Sequence, residues 1–179
     1  AVRALHFLAR ARRGRAAVEA DHWALIATAA LLGPPGRARA PVAVAELLRE
    51  HGRQICESIL AQRHQHDPQS PLHGCFDPHG YSTPTATRLE GLQAALGFLD
   101  PSEDAELRSR ILVAVDAGVA FLLRTQISDG PLEGAMPRAH PTSRAPRAGE
   151  VRVDYPQHAL SAWMLALDRL VPLGRRGGG

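Results

Sequence analysis

The sequence contains no lysine: all 21 of its positive charges are arginine. A lysine Schiff base and a lysine general base are therefore excluded. Aromatic residues are scarce, at 4%. Folds rich in β-structure lean on aromatic and β-branched side chains, so a chain poor in aromatics and rich in Ala and Leu points to packed helices. Only two cysteines occur, Cys56 and Cys75, without Cys-x-x-Cys spacing, which argues against a disulfide framework in a chain of this size. No apolar run reaches membrane-spanning length and no signal peptide is visible, so the expectation is a cytoplasmic protein without membrane contact. The formal net charge is only +3, and the arginines are scattered among acids. That pattern lacks the basic stripe of a nucleic-acid binder.

What is present is enough apolar material for one domain: 179 residues, 45% hydrophobic and 22% charged. Three segments align without gaps. They are Trp23-Ala24-Leu25-Ile26-Ala27, Glu90-Gly91-Leu92-Gln93-Ala94 and His158-Ala159-Leu160-Ser161-Ala162. The offsets are 67 and 68 residues (90 less 23, and 158 less 90), which marks an internal repeat. Longer amphipathic segments alternate with them. One runs from about Val42 to Gln62 and another from about Asp104 to Gln126, both with helical spacing of their apolar residues. Ala1 to about Arg13 reads as a third.

The order is thus outer helix, loop, Ala-rich inner helix, three times over. The inner helices are apolar around much of their circumference, as in Leu25 to Leu32 and Leu160 to Leu167, so each should be buried from several sides. The domain is expected to span residues 1–171, with 172–179 a disordered, Gly-rich tail. Two outer-to-inner loops are long, about His64 to Ser82 and Ile127 to Val153. Loops of that length are often functional, and the second could fold over a site as a lid or remain a linker. In a stack of hairpins these loops and the N-termini of the inner helices share one end.

Polar residues gather at those starts: Glu19, Asp21, His22 and Trp23; Tyr81 to Glu90; and Arg152 to His158. Asp21, Thr83 and Asp154 have N-cap chemistry, and Pro84 and Pro156 suit a first turn. In the bland reading the aspartates only cap helices and His22 and His158 are structural. In the functional reading the three starts line one mouth. The catalytic candidates are then Glu90, Asp154 and His158. Substrate contacts would come from Asp21, His22, Trp23, Arg88, Tyr155, Gln157 and, on the last loop, Arg138. A sugar suits such a set, because Trp or Tyr stacks on its apolar face while carboxylates and imidazoles handle hydroxyls and protons. Hydrolysis would need two carboxyl groups, Glu90 with Asp154 or Asp21. Epimerisation would instead use the histidines His22 and His158. No cofactor is required. Zinc is the one metal to consider, because His64, His66, Asp67, His73, Cys75, Asp77 and His79 crowd one loop, yet their spacing matches no zinc signature.

The alternation of charged outer and Ala-rich inner helices, with polar motifs at the inner N-termini, resembles the α/α-toroid proteins. It is most similar to the six-hairpin glycosidase-like group. The segments that carry the resemblance are Asp21 to Leu25, Ala86 to Leu92 and Arg152 to Ala162. The resemblance implies an all-α toroid or half-toroid arc acting on saccharides as a hydrolase, lyase or epimerase, with a small-molecule or oligosaccharide substrate. This chain has about three hairpins where a closed toroid has six or so. It reads as the C-terminal part of a longer toroid, whose N-terminal half would be its partner. The competing readings are a non-catalytic helical-repeat interaction module and a zinc-dependent toroid enzyme.

Overall fold

A computed structural model describes residues 2–33, 40–63 and 67–170. The described chain is all-α: α1 (Val2–Arg12), α2 (His22–Leu32), α3 (Val42–Ala61), α4 (Ser82–Ala95), α5 (Ala105–Thr125) and α6 (Asp154–Leu170). No strand forms among the described residues, where the only β-pairings are two isolated bridges, Tyr81 with Ala139 and Pro137 with Val151. No described helix is long and apolar enough to cross a membrane. The expected tail at 172–179 lies outside the described residues.

The helices form two layers. α4 lies between α2 and α6, while α1, α3 and α5 pack behind them. Small residues set the spacing. Gly91 of α4 meets α2 so closely that an added Cβ would stand 2.9 Å from the Cα of His22. Gly52 of α3 accommodates the ring of Phe98, and Gly118 of α5 accommodates Leu89. Leu25, Leu48, Ile55, Leu89, Leu92, Ile111 and Phe121 are fully buried between the layers. Cys56 and Cys75 are buried free thiols, not a disulfide.

Helix starts follow local chemistry in part. Asp21 caps α2 by accepting the amide of Ala24 at 3.0 Å. Thr83 lies inside α4 and is not its cap; Tyr81 takes that position without a side-chain hydrogen bond. The helix starts a residue earlier because the Ser82 hydroxyl donates to Pro137 and Arg138 carbonyls and its amide to Arg138, which docks the last loop on this end. Asp154 is the first residue of α6. Pro84 and Pro156 sit in first turns, where a missing amide hydrogen costs nothing.

One inner helix departs from its sequence pattern. α6 buries Tyr155, Ala159, Ala162 and Ala166, yet Leu160, Met164 and Leu167 are exposed. Among the described helices α4 and α5 are the ones that pack closely against it, and the side carrying Leu160, Met164 and Leu167 stays exposed.

Candidate functional site

The site is built from three helices that the chain brings together over some 70 residues each way. Glu90 sits in the middle of α4 and is nearly buried. His158 of α6 places Nδ1 2.9 Å from Glu90 Oε2, with side-chain exposures of 18% and 8% respectively. A carboxylate offers only acceptors, so with Glu90 ionised the proton of this bond sits on His158 Nδ1 and Nε2 is left to accept. On the other flank, His22 opens α2 against Gly91. Its Nε2 is buried without a hydrogen-bond partner. Burial is the main reason the His22 pKa is lowered; Glu90 and Asp21 oppose the shift, and His158 and Arg88 reinforce it. Two imidazoles therefore flank one carboxylate, and each has a nitrogen not engaged by protein. The ring of Trp23 lies 4.9 Å from that of His22 and is itself exposed.

The other predicted residues are placed elsewhere. Asp21 turns away from Glu90: beyond its capping bond, Oδ2 lies 3.2 Å from Arg12 Nη1. Arg88 leaves α4 on another side and donates to Gln62 Oε1 at 3.1 Å, closing one side of a cleft of about 550 Å³ with Arg63, Phe76 and Asp77. Burial lowers the Arg88 pKa, with Asp77 opposing. Asp154 pairs with Arg152 at 3.1 Å and has no bond to Glu90 or His158. The Tyr155 ring is buried beneath the Arg152 guanidinium, and Gln157 is exposed. Arg138 lies over the Tyr81 ring, 3.5 Å from Glu150, and so already holds a carboxylate. Among the described residues Glu90 is the carboxylate bonded to His158, and its influence on His22 is through charge alone.

The histidine-rich loop divides. His64 and His66 lie outside the described residues. Among the described residues no three His, Cys, Asp or Glu side chains converge as a metal would need. Cys75 donates its thiol hydrogen to the Asp77 carbonyl at 3.0 Å, and burial pushes its pKa up, so it is held as a thiol.

A second polar cluster is not foreshadowed by any motif. Arg12, buried at the end of α1, reaches Glu19 at 2.6 Å, Asp21 and, at 3.5 Å, Nε2 of His51 on α3. The bond assigns the acceptor role to His51 Nε2. Burial, then the Arg12 charge, lowers the His51 pKa. His51 stands three residues after Leu48 and four before Ile55, on the buried stripe of α3, so helical spacing turns it inward, but nothing local names Arg12 as its partner. Comparison with protein-family profiles, with curated proteins and with solved structures finds no match to this chain.

Proposed function

We propose that this chain is a carbohydrate-processing domain, a toroid-like helical arc whose Glu90–His158 pair and His22 transfer protons at a sugar. The observation that carries the reading is the 2.9 Å bond between Glu90 and His158, residues 68 positions apart at the same point of the repeat, with His22 alongside. Proton-transfer chemistry of the epimerase or lyase kind fits this set better than two-carboxylate hydrolysis. Hydrolysis needs a second carboxyl group across the scissile bond, and Asp154 and Asp21 are both engaged elsewhere. In the proposed step, His158 Nε2 accepts a proton from a carbon next to the sugar's carbonyl. Glu90 fixes the ring and its tautomer and stabilises the imidazolium that forms. His22, on the other flank, would return a proton to the opposite face. In this scheme His22 enters the step as the imidazolium and leaves it neutral while His158 gains a proton, and burial, which lowers the His22 pKa, favours that release. Trp23 supplies an exposed ring for stacking.

The test is incorporation of solvent deuterium into a panel of reducing sugars and uronic acids, followed by NMR. The intact chain should exchange one carbon-bound hydrogen of its substrate. His158→Ala should reduce the rate by about 10²–10⁴-fold, and Glu90→Gln by a similar factor, with circular dichroism unchanged. Exchange that survives both substitutions sinks the assignment, as does loss of fold in both. The specific observation favouring the second reading, a helical interaction module, is the open apolar side of α6.

A further inference from the structure

Two arginines of this molecule that turn away from solvent do so against carboxylates. Arg12 is held by Glu19 and Asp21, and Arg53 by Asp104. Arg88 differs. It is half-buried on α4, and every side-chain bond it makes goes to a neutral oxygen. Nε and Nη2 donate to Gln62 Oε1 at 3.3 and 3.1 Å. Nη1 reaches the Pro84 carbonyl and the Thr87 hydroxyl, both at 3.5 Å. A guanidinium carries five N–H hydrogens, so at least one on Nη2 is still to be used and those on Nη1 are loosely held. Withdrawing a cation from water without a bonded counter-ion is unfavourable, and burial lowers the Arg88 pKa accordingly.

Arg88 also lines a cleft, and the charge of that cleft is distinctive. Its volume of about 550 Å³ is shared with Gln62, Arg63, Phe76, Asp77 and Pro78. Small-molecule sites run from roughly 300 to 1,000 Å³. Two clefts against α3 each set two arginines beside two glutamates, and a third sets two arginines beside four carboxylates. Here Arg63 and Arg88 face the one carboxylate of Asp77, a net charge of +1 (two less one). Among the described residues neither arginine forms an ion pair with Asp77 or with any other carboxylate. Asp77 is fixed in place, since Oδ1 accepts the His79 amide at 2.8 Å. An ionised carboxylate only accepts, so beside the arginines it welcomes a hydroxyl hydrogen and repels a second negative charge. Arg88 and Glu90 stand two residues apart on α4 and do not share a face, so this cleft is separate from the Glu90–His158 pair.

We infer that this cleft is a binding site for a small hydroxy acid, whose single carboxylate is held by Arg63 and Arg88 while a hydroxyl donates to Asp77. Arginine suits the role because its planar fork matches the two oxygens of a carboxylate. The Gln62 bond need not break, because hydrogens on Nη1 and Nη2 remain for the ligand. Occupancy of the cleft does not depend on proton transfer at Glu90.

Isothermal titration calorimetry of the intact chain with D-gluconate near neutral pH tests it, with sorbitol, acetate and inorganic phosphate as comparisons. Gluconate should saturate one site. Sorbitol has the hydroxyls without the charge and should not bind. Acetate has the charge without the hydroxyls and should bind about tenfold more weakly or worse. Arg63→Ala and Arg88→Ala should each weaken gluconate by about tenfold or more, and Asp77→Ala should remove its advantage over acetate. Absence of saturable gluconate binding overturns the inference. So does binding that survives both arginine substitutions, or phosphate that binds as tightly as gluconate. Should Arg88→Ala lose its helical circular dichroism, nitrogen-15 NMR of the wild type decides: gluconate-dependent shifts at the amides of Arg63, Asp77 and Arg88 support the site, and shifts confined to other residues refute it.

Discussion

Three histidines hold nitrogen in places where a charge is costly. His22, His51 and His140 all have lowered pKa values, in each case chiefly through burial. A histidine whose folded pKa lies below its ordinary value near 6.5 is protonated more readily in the unfolded chain. Its contribution is then complete above about pH 6.5 and is lost as pH falls toward the folded value. The urea midpoint should therefore drop between about pH 7 and about pH 5, and His51→Gln, which keeps an acceptor for Arg12, should flatten that slope. An unchanged slope would show that His51 does not titrate with unfolding. At this scale the sequence was partly readable. Glu90 and His158 occupy the same phase of the repeat, and that phase predicts their proximity. Arg12 and His51, 39 residues apart, share no motif; the apolar stripe of α3 turns His51 inward, but which side chain it meets depends on how α1 packs there.

The elements themselves were the easiest to read, because apolar spacing and breakers such as Gly33 and Asp100-Pro101 act locally. The close approaches between them were not, since a glycine in a helix reads as a weakness. Gly91→Ala gains about 1 kcal/mol of helix propensity. It also sets a methyl carbon 2.8 Å from His22 Cβ and 2.9 Å from its Cα, which is backbone and cannot swing aside. Overpacking of that kind costs about 1–3 kcal/mol, so the net effect should be destabilising, read as a lower denaturation midpoint. The same substitution displaces His22 from Glu90, so proton-transfer activity should fall further than stability does. A stabilised Gly91→Ala would mean that α2 and α4 are not in this register. The loop from Ile127 to Val153 was the least legible element. Its order comes from backbone and Ser82 bonds to the start of α4, and no local propensity announces them.

For the molecule as a whole, one helix touches most of the rest. α4 is flanked by α2 and α6 and backed by α3 and α5, whereas α1, among the described helices, packs mainly on α3 and α2. In a repeat stack, stability is shared between neighbours and fails first at the ends. Native-state hydrogen exchange should find the slowest amides in α4, at the global unfolding free energy, and faster exchange in α1. Equal protection across both helices would contradict this graded arrangement. The all-helical, layered organisation followed from the repeat. The open side of α6 did not, because an apolar pattern records which side chains want cover and says nothing of whether another helix is there to give it.

The two sheltered sulfurs turn this gradation into something that can be timed. Cys56 lies mid-way along α3 and Cys75 in the loop before α4, both sealed from solvent and both held protonated by their surroundings. A thiol reagent can react with either only after its own neighbourhood has parted. The chain thus carries two native stopwatches, one for its framework and one for the loop beneath its inner helices, without any label having to be introduced.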